Sequence, residues 1–549
     1  MRFRVLVMAL TVAAGALVPV AAAAPPTSSY DYTRIAGRST VRYDDFEHEV
    51  FDVPMRDGVR IHIELYRPAA GGRFGTILKM SPYHDSPPLA EDRRGQYLVP
   101  EQHGSMVDYF VPRGYVFATA DLRGSGLSQG CFDYLGQTDR KDVYEVVEWL
   151  ARQPWSNGRV GMIGVSYPGS TPILAAAAQP PHLATIVPIA GWSQMYDHQF
   201  QNGVPYFLQW AGASIYEVFS VYRFARSPTG MGVAAPFCGA PTSSPLYEGE
   251  AYTSGARHPW HDAHDWSDAS RSRVPVFLIH GDADFSIRIN AIDWFNHRRR
   301  AGDKIWIGQW GHSAPPRDEQ WVAALHAWFD KHLQGRRLPT GPTAEVFLND
   351  ESVLAAPRWP IPSKPTTLLT SSAGRLGAAR DEPGVLRYVA DASGHAQEHE
   401  TGHVAFETEP LRTDTVLVGT PRLRLRVSVT SPKVHLIGTL YEVDGQLVNR
   451  IGQATFAIQP ELRDGLDKPK VVVPGEVMMI ETPGMTMAHV LRAGTRLRLV
   501  IASSHPDKVP IFGSGAVVEV IAGGDDGTSV TLPVIARPRL LPDVYQPEG

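Results

Sequence analysis

The chain has 549 residues, 43% hydrophobic and 20% charged, with a formal net charge of -5. That length exceeds one compact domain and implies two or three. A mildly acidic chain without a basic stripe excludes electrostatic binding of nucleic acid, and 50 Gly with 45 Pro favour a loop- and β-rich protein over a helical bundle.

Residues 1–23 are expected to be a signal peptide. Arg2 and Arg4 make a charged start, Val5 to Val20 an apolar core, and Ala21 to Ala24 a small-residue cleavage site. Ala23 is the expected last residue removed, because Pro25 makes cleavage after Ala24 awkward. No later run is apolar for long enough to span a bilayer. The expectation is an exported, soluble protein, extracellular or periplasmic, with no membrane partner after cleavage. Its two cysteines, Cys131 and Cys238, lie in Gly-rich loop-like sequence. In an oxidising compartment they are expected to form a disulfide, with two buried thiols as the alternative.

The catalytic domain is expected over 40–192 and 271–335. Phe51 to Arg67 holds two strand-like runs around the turn signal Asp57-Gly58. Thr76 to Met80 is a buried strand ending in Ser-Pro-Tyr-His, and Tyr115 to Ala120 another, running into the glycine-rich loop Asp121 to Gly130. Asp142 to Leu150 is an amphipathic helix. Val160 to Ile163 is a strand, and Ser166 follows at its corner with a helix carrying Ile173 to Ala178. Thr185 to Ala190 is the next strand. Apolar strands alternating with helices predict a parallel sheet covered on both faces.

Residues 193–270, rich in aromatics, are expected to be an inserted, mainly helical cap. The sheet resumes at Val274 to His280, followed by the loop Gly281-Asp-Ala-Asp284. Arg298 to Arg300 reads as a solvated helix end. Lys304 to Ile307 is the last strand, leading to Gly308-Gln-Trp-Gly-His312 and a closing helix over Glu319 to Leu333. After a Gly/Pro linker, 341–549 shows short alternating runs such as Leu423 to Val429, Leu436 to Tyr441 and Thr495 to Ile501, and predicts a β-sandwich of jelly-roll type.

Ser166 sits in Gly164-Val-Ser-Tyr-Pro-Gly169, a strand-to-helix corner that pushes a hydroxyl out of the sheet. Gly164 and Gly169 leave room for the turn and for helix on strand, and Pro168 is tolerated in the first helical turn. A serine hydroxyl becomes a useful nucleophile once a His takes its proton and a carboxylate orients that His. Asp284 and His312 both follow strand ends, in the chain order Ser, Asp, His. The catalytic residues are therefore expected to be Ser166, Asp284 and His312, with Asp282 as the competing carboxylate. This chemistry calls for no cofactor and no metal.

The segments MRDGVRI…LYRP, SPYH, DLRGSGLSQG, PWSNGRVGMIGVSYPG, the Gly281 to Asp284 loop, GQWGHS and VLRAGTRLRLVIASS resemble the cocaine esterase and X-Pro dipeptidyl-peptidase (CocE/NonD) family of serine hydrolases. The resemblance covers nearly all of the chain beyond the signal. It implies an α/β-hydrolase fold with a cap and a C-terminal β-sandwich, and an oxyanion hole made by the Tyr83 hydroxyl and the Tyr167 amide. It implies a small-molecule ester or amide substrate, with the X-Pro dipeptidyl-peptidase and α-amino-acid ester hydrolase activities as alternatives. The ester hydrolases of the family hold a substrate ammonium with carboxylates that partly follow the catalytic Asp. Here Asp284 is followed by Phe-Ser-Ile-Arg, and Asp197 stands as a lone carboxylate, which weakens an amino-acid ester or free-N-terminus peptide substrate; esters or amides with an apolar acyl group fit the aromatic cap better.

Two readings from other classes remain. His258, His261 and His264 with Asp262 and Asp265 have spacing that suits a metal, against which Pro259 interrupts a helix. A carbohydrate-binding role for the sandwich rests on fold analogy alone. Substrate-binding residues and oligomeric state stay open.

Overall fold

The computed structural model describes residues 30–84, 92–208, 222–223, 233–234, 255–298, 300–315, 318–390, 402–509, 515–536, 538 and 540–541. Its centre is a sheet built around the apolar runs that the sequence marks. Strands β1 (Phe46–Pro54) and β2 (Arg60–Pro68) form the Asp57-Gly58 hairpin, Gly58 taking φ 83 at the turn. Next come β3 (Phe74–Ser81), β4 (Tyr115–Asp121), β5 (Ser156–Val165), β6 (Leu183–Ile189), β7 (Phe277–Gly281) and β8 (Lys304–Gly308). The spatial order is β1-β2-β4-β3-β5-β6-β7-β8. From β4 onward these strands run parallel, so their carboxyl ends share one edge.

Both faces are covered, as near-continuous apolar strands require. Helices α1 (Gln137–Ala151) and α2 (Tyr167–Ala178) pack one face with Val143, Val146, Ile173 and Leu174. The closing helix α3 (Glu319–Leu333) packs the other through Trp321, Leu325 and Trp328.

The sheet does not stop at the linker. Strands β9 (Ala344–Phe347) and β10 (Val353–Ala356) extend it beyond β8, and Leu540–Leu541 pairs with β10, giving 11 strands. The C-terminal part is all-β and antiparallel, with a nine-stranded and a four-stranded sheet over an apolar core of its own. Its strands β11 (Leu436–Asp444) and β12 (Leu447–Ile458) form a hairpin turning at Gly445, and β13 is Met487–Leu491.

Of the cap, the described part holds two short α-helices, Met195–Gln199 and Pro259–Ala263, a 3-10 turn over Ser267–Arg271 and two two-residue strand pairs. It rests on the C-terminal domain: the Asn202 amide donates to Ala457 O at 3.0 Å and that of Gln201 to Thr455 O at 2.7 Å. Arg298 is not solvated. It is 4% exposed and bonds Asp303 and the carbonyls of Ala269, Ser272 and Val274. The helix before it spans only Asp293–Asn296, so Arg298 leaves the helical path and turns inward.

Candidate active site

Ser166 caps α2 with φ 67 and ψ -128, a conformation that ordinary L-residues avoid. Close backbone approach enforces it. A Cβ at Gly164 would lie 2.4 Å from Pro168 O, and one at Gly169 would lie 2.2 Å from Ile189 O. Ser166 N–H donates to Ile189 O at 3.0 Å, while its carbonyl accepts from the Gly169 and Ser170 amides. The strain keeps the side chain half-buried at the sheet edge instead of sunk in the helix.

The Asp284 and His312 loops leave adjacent parallel strands, and His312 Nδ1 meets Asp284 Oδ2 at 2.9 Å. Asp284 is fully buried, and its Oδ1 accepts the Ser286 and Ile287 amides at 2.8 and 2.9 Å. Burial pushes this carboxyl up, but its hydrogen bond to His312 and the charges around it hold it below the usual carboxylate range. His312 keeps 22% of its side chain exposed. Asp282 turns away from His312, towards the C-terminal domain, where Gly452 closes on its Oδ2.

Tyr83 lies just past β3 and is 7% exposed; its ring packs edge-on against Tyr167 with centroids 6.2 Å apart. Phe132, Tyr134 and Trp192 also pack on the Tyr167 ring, at 5.8, 5.9 and 5.5 Å. The residue after Ser166 is thus clamped by four aromatics from three separate segments, which fixes the direction of its amide.

Sequence reasoning passed over a second buried link. His84 Nδ1 contacts Asp121 Oδ1 at 2.7 Å, Arg93 grips the same carboxylate, and the Leu127 amide donates to Asp121 Oδ2 at 2.7 Å. The SPYH segment is thereby tied to the glycine-rich loop. The available signal was an Asp and a His each ending a buried strand.

Asp197 is not a lone carboxylate. Burial pushes it up to about 7, and Asp293 and Asp265 reinforce the effect. It lines a narrow cavity with Trp192, His198, Ile287 and Arg288. His198 stacks on Trp192 at 4.3 Å, and burial, with Arg288 and His312 nearby, pushes it down to about 3.

The HPWHDAHD groups are engaged elsewhere. His261 Nδ1 accepts the His258 amide and His258 Nδ1 that of Trp260, a capping arrangement that opens a short helix. His264 binds the Trp260 and Asp133 carbonyls, and Asp262 and Asp265 pair with Arg257. Among the described residues no group of three or more His, Cys, Asp or Glu is placed to hold a metal. Cys131 is disulfide-bonded, whereas Cys238 lies outside the described residues.

A mostly parallel sheet with a strained serine at the corner after β5 defines the class as an α/β hydrolase. Residues 57–314 match the X-Pro dipeptidyl-peptidase (S15 family), and residues 339–528 match the X-Pro dipeptidyl-peptidase C-terminal non-catalytic domain. The chain belongs to this family, the cocaine esterase and X-Pro dipeptidyl-peptidase group of serine hydrolases, and is a hydrolase. It is 28% identical over 434 residues to a Streptomyces avermitilis protein named "Putative Xaa-Pro dipeptidyl-peptidase", covering 70% of this chain and 61% of that protein. It is 25% identical over 535 residues to the cocaine esterase of a Rhodococcus species, covering 82% of this chain and 90% of the esterase. A CocE/NonD family hydrolase of Staphylococcus aureus superposes with a TM-score of 0.73 at 18% identity, over 93% of this chain and 99% of that one, which shows a shared fold.

Proposed function

We propose that this hydrolase is exported and cleaves an ester or amide acyl bond through an acyl-enzyme on Ser166. The observation that carries the reading is the 2.9 Å contact of His312 Nδ1 with the buried Asp284. A carboxylate on Nδ1 fixes the imidazole tautomer and leaves Nε2 to take the Ser166 proton, then to hand it to the leaving group. Ser166 Oγ attacks the carbonyl, and the oxyanion is held by the Tyr167 amide and the Tyr83 hydroxyl. Water enters after the leaving group departs, with His312 again as base, and releases the acid.

The surroundings of the nucleophile favour an uncharged acyl group. Trp192, Phe132 and Tyr134 are aromatic, and the cavity beside them carries Arg288. A cation there opposes a substrate ammonium, and Asp197, pushed up to about 7, is a weak counter-charge. Export rests on residues 1–23, which lie outside the described residues; no helix among the described residues is long and apolar enough to cross a membrane. The test is fluorophosphonate labelling, with short-acyl nitrophenyl esters assayed beside an X-Pro-nitroanilide. Labelling of Ser166 and turnover of the esters are expected. An unlabelled, active enzyme would defeat the reading, and faster turnover of the anilide would reassign the substrate to peptides.

A further inference from the structure

Asp282 belongs by its backbone to the catalytic loops and by its side chain to the C-terminal domain. Its N–H donates to Gly308 O at 2.7 Å, and the next amide, that of Ala283, donates to Trp310 O at 3.2 Å. These bonds lace the Asp284 loop to the His312 loop. The Asp282 carboxyl points the other way and is 0% exposed. There it faces the backbone of Ala488, on β13, which favours its charged form.

Gln309, at the start of the His312 loop, runs into the same seam. Its Nε2 donates to Ala488 O at 2.9 Å and lies 3.4 Å from Phe347 O and 3.5 Å from Asp282 Oδ2. One residue of the C-terminal domain therefore meets both loops, its backbone facing the Asp282 carboxyl and its C=O accepting from Gln309. From β12, Gly452 presses in with φ 50, and a Cβ there would stand 2.4 Å from Asp282 Oδ2. Asp282 Oδ1 has no hydrogen-bond partner among the described residues.

We propose that Asp282 and Gln309 are positioning residues through which the C-terminal domain keeps Asp284 and His312 in register. The inference rests on the triad reading above. Asp282 lies two residues before Asp284 and Gln309 three before His312, so a shift at the seam reaches both members of the pair. A carboxylate walled in by a glycine and lacking a donor on one oxygen would cost several kcal/mol to bury, whereas a neutral carboxylic acid does not carry that penalty.

Burial accordingly pushes this acid up to about 7. The charged group acting on it is Arg450 of β12, which favours the anion but is outweighed; that guanidinium also donates to Gly452 O at 3.1 Å. From β13 and β9 the facing groups are the backbone of Ala488 and of Phe347, and from the His312 loop the uncharged Gln309 amide. With the folded value raised above the ordinary one, the stabilisation is complete in acid and fades as pH rises through about 7. The seam should then loosen and kcat decline, with KM little changed because Asp282 touches no substrate.

The experiment compares wild type with Asp282→Asn, an uncharged isostere, for kcat and KM on a nitrophenyl ester from about pH 6 to about pH 8.5. The ratio of kcat at the alkaline end to kcat at the acid end is expected to rise about threefold or more in Asp282→Asn. Gly452→Ala, which drives a methyl group into the carboxyl, is expected to lower kcat about tenfold at nearly constant KM. Superimposable pH profiles of wild type and Asp282→Asn, or wild-type kcat in a folded Gly452→Ala protein, would overturn the proposal. Fluorophosphonate labelling of Ser166 in the same samples separates the two readings. Labelled Ser166 with identical profiles removes the positioning role alone; unlabelled Ser166 removes both.

Discussion

Two sets of Ser, His and Asp side chains lie at opposite edges of the central sheet, and only one has the exposure and backbone strain that the proposed chemistry needs. At the carboxyl edge stand Ser166, His312 and Asp284. At the amino edge, where Tyr115 opens β4, stand Ser39, His326 and Asp330. Ser39 Oγ donates to Asp330 Oδ1 at 2.7 Å and lies 2.7 Å from His326 Nε2, while Tyr109 OH meets His326 Nδ1 at 3.1 Å. Tyr115 OH and the Ser39 amide complete the shell of Asp330. Ser39 is 5% exposed, His326 3% and Asp330 0%.

The proposed difference in their work has three physical reasons. In the inner set the hydroxyl proton goes to the carboxylate, so the imidazole has none to abstract. Its Nδ1 faces a tyrosine where the site at the other edge has a carboxylate. No solvent or substrate reaches it, and its serine carries none of the strain that holds Ser166 outward. Saturated and dry, the inner set ties α3 and the N-terminal segment to the sheet.

Mutations should separate the two sets sharply. Ser166→Ala is expected to lower kcat by about 10⁵-fold with an unchanged unfolding midpoint, since no described hydrogen bond depends on its hydroxyl. Residual turnover within tenfold of wild type would contradict this. The aspartates should behave inversely. Asp284→Asn is expected to cost about 10⁴-fold in kcat through the wrong imidazole tautomer. Asp330→Asn should cost about 3 kcal/mol of stability, read from denaturant midpoints, while the folded fraction keeps its kcat. A fall in kcat for Asp330→Asn at full stability would make the inner set functional.

A smaller effect is expected at Tyr83. Its loop, Ser81-Pro82-Tyr83, has no glycine to bring a backbone amide close, so a hydroxyl is the fitting second oxyanion donor. Tyr83→Phe keeps the ring packing on Tyr167 and should lower kcat about a hundredfold with KM held. A rise in KM at constant kcat would make Tyr83 a substrate contact instead.

The smallest effects per residue concern acid stability. Burial holds His326 below its ordinary value despite Asp330, and pushes His261 down to about 4 and His435 to about 3. Each stays neutral when folded and gains a proton only on unfolding, so stability falls once pH drops below about 6.5. The loss should be about 1 kcal/mol for each of His261 and His435 near pH 5.5. Asp284 and Asp330, both held below the usual range, add to it only below about pH 4. Because the buried acids Asp197 and Asp282, pushed up to about 7, act in the opposite sense over this range, the check is His435→Gln against wild type: an unchanged slope of thermal midpoint between pH 7 and pH 5 would refute this sign.

Sequence by itself determined what depends on neighbours along the chain. The hairpin at Asp57-Gly58, the apolar runs of β3 to β8, the closing helix and the Ser166 corner follow from periodicity and turn chemistry, which act over a few residues. The order Ser, Asp, His was legible because each candidate follows a strand end, and parallel strands bring their ends to one edge. Tertiary structure alone decided the matters that depend on distance through space. It paired His312 with Asp284 and turned Asp282 into the seam, although both acids sit on one loop. It gave Asp197 the company of Asp293 and Asp265, buried Arg298, joined His84 to Asp121 and carried the sheet past the linker into β9 and β10. Those outcomes rest on contacts between residues tens to hundreds of positions apart, where burial and the need to satisfy polar groups outweigh any local preference.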